Sequence, residues 1–505
     1  MYRSERLRRR PLAAAASLLL SAGLAQAQEA ASNAKTLDAV TVTGTRIKGQ
    51  NMTASSPVME VNAEAFQQSG ATRVEDLLNQ YPQLSARFDG FENNGAVGYG
   101  TVALRNLGPE RTLTLLNGRR LSAGSGETTD VSIIPYALVK RVDVLTGGAS
   151  AVYGSDAVAG VVNFMLDDEF EGVMAKVGYS GYQHNNDNRY MRQLADKAGY
   201  AYPRGNSGLG GIARNVDLAI GGKFGESGHA MGWVTWRKNE ALMQGDRDYS
   251  ACSLNGAGTA CGGSGTSDPP NFLLVDGDGR SRYANLGADG RWLPGQAGLY
   301  NYAPQNFYQR PDEDLTGGFA LKYEIAPQFQ PYLEGQFVNH KSSTQLAPSG
   351  TFFGDKLVMT CNDPLIGTLC GDLGLPGDST EVYVGKRNVE GGPRVSTSDT
   401  TTFRIVAGAK GDLSPRWSYD AYFLYARNST TSIGRNDFLR DKVVSALRGC
   451  QPGSFSGCIP YNVWVPNGVT PAAAAALAGT SLQEWNTTLK VLSGYVSGDT
   501  GWALP

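Results

Sequence analysis

The side chains that usually carry catalysis are scarce in this chain. His184, His229 and His340 are its three histidines. None lies in a His-Glu-x-x-His pattern, which would place two imidazoles on one helical face for zinc, and there is little material for a Ser-His-Asp relay. Asp276-Gly277-Asp278-Gly279 offers two carboxylates for calcium. It lacks the further spaced carboxylates of an EF-hand loop and reads as a turn. Gly208–Ala213 has the glycine spacing of a dinucleotide loop, but no strand precedes it and no helix follows, so it reads as a flexible loop. The reading is therefore a protein that is not an enzyme, with no catalytic residue, no metal site and no cofactor.

The six cysteines fall into three local pairs, Cys252/Cys261, Cys361/Cys370 and Cys450/Cys458, each in a stretch rich in Gly, Ser, Pro or Asp. None has zinc-knuckle spacing, and local pairing suits disulfides formed in an oxidising compartment. The amino terminus agrees. Arg3, Arg6, Arg8, Arg9 and Arg10 precede an apolar run from Leu12 to Leu24 and then Ala25-Gln26-Ala27. That is the layout of a secretory signal peptide over residues 1–27.

Composition narrows the class further. There are 64 glycines in 505 residues, nearly twice the usual ~7% share. Lys+Arg 45 against Asp+Glu 47 gives a net charge of -2, which leaves no basic excess for nucleic acid. Mean hydropathy is -0.28. Beyond the signal peptide no apolar run approaches the ~18 residues of a spanning helix, so a helical membrane transporter is excluded. A secreted or periplasmic protein and a β-barrel membrane protein remain.

Residues 51–167 read as a small α/β domain. Thr72-Arg73-Val74-Glu75 has the form of a capping box opening a helix through Leu77 and Leu78 that closes at Tyr81-Pro82. Arg111–Leu116 is a strand candidate ending in the tight-turn pair Asn117-Gly118, and Val139–Leu145 is another. After Asp167 strict alternation takes over. Eight strands are expected around Val173–Tyr179, Val216–Phe224, Met231–Trp236, Leu315–Tyr323, Pro331–Phe337, Phe403–Ala409, Trp417–Tyr425 and Leu489–Val496. Three connections are tight, at Gly225–Gly228, Ala326–Gln328 and Asp412–Pro415, whereas 184–214, 242–313, 342–400 and 428–488 are long. Short turns at one end and long loops at the other are the pattern of an outer-membrane barrel. A strand of about eleven residues, rising ~3.3 Å each and tilted ~45°, spans roughly 26 Å, which matches the apolar band of such barrels.

Between the signal peptide and the α/β domain, in the flexible segment 28–50, lies Leu37-Asp38-Ala39-Val40-Thr41-Val42, which is β-prone and suited to joining a partner's sheet edge. It resembles the TonB box of TonB-dependent outer-membrane receptors. The α/β domain resembles the family's plug in Val102–Gly108, which contains Arg105, and in Arg111–Arg119, which contains Asn117 and Gly118. The most specific stretch is Val142–Phe164, with Gly147, Gly148, Tyr153, Gly154, Gly160 and Asn163, where small residues permit close packing. The resemblance implies an α+β plug domain at 51–167 followed by an antiparallel transmembrane β-barrel, of which 168–505 would be the N-terminal part. It also implies localisation in the outer membrane, contact with its lipid, TonB as partner, and import of a scarce solute such as a ferric siderophore, cobalamin or an oligosaccharide.

Trp292, Tyr300, Tyr302, Phe307 and Tyr308 cluster in one expected outer loop, where they could stack on a ligand or pack as a lid. A secreted adhesin or hydrolase on a β scaffold is the opposing reading, and it would have no use for residues 37–46. Barrels that hold a plug have about 22 strands, and eight cannot enclose one. More barrel is therefore expected beyond Pro505, with Gly498–Gly501 as a turn and Trp502–Pro505 starting a ninth strand.

Overall fold

The computed structural model describes residues 58–93, 98–124, 128–498 and 500. The expected signal peptide and residues 37–42 lie outside the described residues, as do Trp502–Pro505.

The inner domain contains β1 (Val58–Asn62), α1 (Ala63–Ser69), α2 (Val74–Leu78), β2 (Leu84–Arg87), β3 (Thr101–Leu104), β4 (Thr112–Leu116), β5 (Arg119–Arg120), β6 (Val139–Leu145), α3 (Ser150–Tyr153) and β7 (Gly160–Leu166). Its main sheet has the order β1-β6-β7-β4-β5, with β4 and β7 parallel. Asn62 starts α1 by accepting the Ala65 N–H at 3.0 Å, and Gly70 ends it at φ 67°. The capping box expected at Thr72–Glu75 does not form. Arg73 occupies the N-cap of α2 with no side-chain capping bond, and the Thr72 hydroxyl donates instead to Asn239 Oδ1 at 3.1 Å. A tertiary partner 167 positions away has displaced the local one. Helix α2 ends at Leu78, before Tyr81-Pro82, and the strand expected from Arg111 begins at Thr112 because Pro109–Arg111 form one 3-10 turn. Asn117 and Gly118, at φ 51° and 73°, make the tight turn that the sequence calls for.

The rest of the chain forms β8 (Gly172–Tyr182), α4 (Arg189–Ala198), β9 (Gly210–Phe224), β10 (Gly228–Asn239), β11 (Leu242–Met243), β12 (Asn271–Val275), β13 (Ser281–Leu286), β14 (Trp292–Pro294) and β15 (Phe307–Gln309). There follow β16 (Asp312–Tyr323), β17 (Gln330–Leu346), β18 (Lys356–Thr360), α5 (Leu369–Leu373), β19 (Ser379–Gly385), β20 (Arg394–Ser414), β21 (Trp417–Phe438), α6 (Arg440–Leu447), α7 (Pro471–Leu477) and β22 (Ala478–Gly498).

All eight expected strands pair antiparallel in one wall of order β22-β21-β20-β17-β16-β10-β9-β8. Among the described residues the wall is not closed, since β8 and β22 are its two edges. Period-two alternation sorts its faces: Val173, Val177, Ile220 and Leu492 point outward at 77%, 79%, 63% and 87% exposure, while Ala219, Met231, Trp233, Ala320 and Val338 point inward. Those five join Phe66, Leu78, Val142 and Phe164 of the inner domain in one continuous core. The inner domain is thus seated against the wall by apolar burial as well as by polar contacts.

Strands β20, β21 and β22 run 21, 22 and 21 residues, far beyond their expected spans. Alternation marks only the greasy part of each strand. The continuations, such as Thr397–Thr402 against Asn428–Ile433, are held by backbone pairing and carry little hydrophobic contrast. Residues 208–213 likewise differ from the loop expected there, because Gly210–Ala213 already belong to β9. Asp276–Gly279 is the expected turn, with the Gly279 N–H bonded to the Asp276 carbonyl at 2.9 Å.

The long connections are not bare loops. Three of them build an outer cap in which β14-β13-β12-β19-β18 form a second sheet, and α5, α6 and α7 pack with it around Phe272, Leu274, Trp292, Leu357, Val382 and Trp464. Disulfides close Cys252–Cys261, Cys361–Cys370 and Cys450–Cys458, each pair within its own connection.

Candidate functional site

The chemistry of this chain is concentrated where the inner domain meets the wall. The N-terminus of α2 presents Arg73, whose Nε donates to Asp312 Oδ2 of β16 at 2.6 Å and whose Nη2 reaches the Arg310 carbonyl at 3.3 Å. From β10, Arg237 pairs with Asp314 and donates to the Thr72 carbonyl at 2.7 Å. On β17, His340 lies between Asp314 and the Gly98 carbonyl, which is 2.9 Å from Nε2, and Ser342 donates to the same carbonyl. All of these side chains are buried. Glu75 and Asp76 of α2 complete the cluster; burial, with Asp76 beside it, pushes the Glu75 carboxyl up to about 8.

A second latch sits nearer the short turns. The Asn117-Gly118 turn carries Arg119 into a niche of the wall, 3.1 Å from Glu334, with Tyr332 and Tyr422 under its guanidinium at 4.6 and 5.1 Å. Gln336 donates to the Ile133 carbonyl at 2.8 Å, and Arg404 reaches the Leu116 carbonyl at 3.5 Å. Buried ion pairs add little net stability against apolar contacts of similar shape, yet removing one partner is costly. Such an interface fixes one docked geometry.

The inner domain itself is organised around the motif residues. Gly160, at φ 140°, lies so close to β6 that a Cβ would stand 2.1 Å from the Leu145 carbonyl oxygen. Gly154 adopts φ 97°, and Arg120 ties the Tyr153 carbonyl at 2.7 Å while pairing with Asp156. Arg120 holds that carboxyl below the usual range. Arg105 donates to the Thr146 carbonyl at 2.9 Å, one residue before Gly147. Gly148 has room around it, its nearest prospective contact being the Val158 carbonyl oxygen at 4.0 Å.

Residues 50–161 match the TonB-dependent Receptor Plug Domain. This chain carries a TonB-dependent receptor plug domain. Among solved structures, the ferric enterobactin receptor PfeA, of Pseudomonas aeruginosa, overlaps with TM-score 0.37 at 14% identity, covering 76% of this chain and 49% of that one. The siderophore receptor PirA from Acinetobacter baumannii gives 0.35 and 14%, covering 75% and 53%. The ferric citrate transporter FecA gives 0.37 and 11%, covering 75% and 48%. The chain spans about half the length of each of these proteins.

The five outer-loop aromatics do not form one surface. Trp292, 4% exposed, packs on Phe272 in the cap core and donates to the Ile366 carbonyl at 2.9 Å, and Phe307 is buried as well. For Trp292 and Phe307 the apolar area is spent on packing. Tyr302 bonds Ser253 at 2.7 Å, and Tyr300 stands apart beside Arg387. Tyr308 belongs to an aromatic chain that the sequence did not reveal: His184, Tyr249, Tyr308, Phe91 and Tyr182 follow one another with centroids 4.9 to 6.2 Å apart. Phe91 is on the plug, and the others come from β8 and the connections above the wall. No periodic signal links residues so scattered.

Proposed function

We propose that this chain belongs to an outer-membrane importer in which the plug closes the lumen and TonB, pulling on Leu37–Val42, loosens it. The observation that carries the reading is the plug held against the wall by two polar latches, Arg73/Arg237 with Asp312/Asp314 and Arg119 with Glu334. The greasy outward face of β8–β22 suits outer-membrane lipid, and short turns at one end with a folded cap at the other give the molecule a periplasmic and an external side. The cargo is a small molecule or oligosaccharide captured beneath the cap, with Phe91 at the point where plug and outer connections meet. The energy comes from the inner membrane through TonB, so no nucleotide site is required.

The test is a strain lacking residues 37–46 of the receptor, compared with the intact strain under iron, cobalamin and oligosaccharide limitation. The intact receptor should confer growth in at least one medium, and the deletion should abolish that advantage while the protein still reaches the outer membrane. Equal growth of the two strains in every medium would overturn the reading.

A further inference from the structure

Where the cap joins the top of the wall, Thr351-Phe352-Phe353-Gly354 makes a turn closed by the Gly354 N–H on the Thr351 carbonyl at 3.0 Å. Both central residues are left-handed, Phe352 at φ 47° and Phe353 at φ 56°. Turns of this kind favour Asn and Gly, and two bulky aromatic residues there are held against their own preference. The outcome is a division of labour. Phe353 lies against Gly385 and faces Tyr283 edge-on, with centroids 6.1 Å apart, whereas Phe352 turns outward with 44% of its surface exposed.

Two cations flank that exposed ring. The guanidinium carbon of Arg387 is 5.0 Å from the Phe352 centroid and that of Arg394 is 5.5 Å from it, while Arg387 also lies 5.1 Å from the Tyr300 ring. Arg387 is only 3% exposed. Its Nε donates to the Thr266 carbonyl at 3.3 Å and its Nη1 to the Pro348 carbonyl at 2.9 Å. Among the described residues no carboxylate lies within ion-pair distance of it, and none accepts from its Nη2. The carboxylates nearby are paired with other cations: Asp437 lies 3.9 Å from Arg394, and Asp268 and Glu390 pair with Lys386 at 3.0 and 2.9 Å. Burial and the like charge of Arg394 hold the Arg387 guanidinium below the ordinary arginine range. A buried charge is ordinarily matched by an opposite one, and this charge has only carbonyls and rings.

We propose that Arg387, Arg394, Phe352 and Tyr300 form a binding site for an anionic solute whose carboxylate sits beside a flat ring. The carboxylate would accept from Arg387 Nη2 with Arg394 adding a second positive charge, and the ring would pack against the exposed part of Phe352. The inference rests on the importer reading and deepens it by giving the class of cargo. Binding to the purified protein involves no TonB, so its failure is distinguishable from a failure of transport.

The experiment is isothermal titration of the full-length receptor in detergent micelles with three probes: benzoate, its uncharged counterpart benzamide, and cyclohexanecarboxylate, which keeps the charge without the flat face. Benzoate should bind about tenfold or more tightly than benzamide, the size expected for one charge-assisted hydrogen bond, and several-fold more tightly than cyclohexanecarboxylate, the size expected for one ring contact. Arg387→Gln should weaken benzoate about tenfold or more and Arg387→Lys less, because lysine keeps the charge but not the fork. Should Arg387→Gln disturb the cap, Phe352→Leu decides: it changes an exposed ring and should erase the preference of benzoate over cyclohexanecarboxylate. Equal affinity for benzoate and benzamide, no benzoate binding, or an unchanged preference in Phe352→Leu would each overturn the proposal.

Discussion

Asn117 and Asn163 clasp the plug hairpin reciprocally: Asn117 Oδ1 accepts from the Leu166 N–H at 2.9 Å, and Asn163 Oδ1 accepts from the Gly118 N–H at 2.9 Å. The two bonds fix the turn against β7 and so aim Arg119 at its niche in the wall. Replacing Asn163 with Ala leaves the Gly118 N–H without its partner and should cost about 1–2 kcal/mol. Denaturant unfolding of the full chain would show it, and Arg119 contacts should weaken in parallel; an unchanged midpoint would count against the clasp.

The upper latch predicts strong asymmetry between single and double changes. Asp312→Leu leaves buried Arg73 with only the longer pair to Asp76, 3.6 Å away, and should destabilise plug docking by about 3 kcal/mol, while Arg73→Met combined with Asp312→Leu should recover part of the loss. Protease accessibility of the plug in isolated membranes is the measurement, and additive losses would exclude a coupled pair.

Glu75 gives the latch a pH dependence of definite sign. Its carboxyl is raised in the folded protein from 4.5 to about 8, so its favourable contribution is complete below the unfolded value and is lost as pH rises through about 8. Plug amides should therefore show higher protection, measured against the intrinsic exchange rate at the same pH, near the lower end of that window than above it. In Glu75→Gln the difference should largely disappear.

The plug glycines should respond unequally. Gly160→Ala places a methyl group against the Leu145 carbonyl at a left-handed φ and should impair plug folding, whereas Gly148→Ala meets open space and should be tolerated. Comparing the protease resistance of the two variants tests this, and equal resistance would mean the β6–β7 contact is looser than described.

Each disulfide closes a short loop of the outer connections, with sequence separations of 9, 9 and 8. Replacing Cys361 and Cys370 with Ser should loosen α5 and the cap core by about 2.5–3 kcal/mol in the chain-entropy view while leaving the wall intact. Hydrogen exchange would resolve the two regions, and non-reducing peptide mapping should find no link between pairs.

The sequence alone determined what local periodicity and turn chemistry can encode. Alternation located all eight wall strands, from β8 to β22, because a strand with one apolar face turned outward and the other turned to a protein interior must alternate. Asn117-Gly118 fixed its turn because few other residues accept two left-handed conformations in succession. Tertiary structure decided the rest. The Thr72 hydroxyl abandoned its own helix for Asn239, which only docking brings within reach. The polar upper reaches of β20–β22 became strand through neighbours rather than through any pattern of their own. The cap, its core and the Phe352–Arg387 contact assemble residues from connections far apart in the chain, and a contact that exists only after loop closure leaves no trace in either segment read by itself.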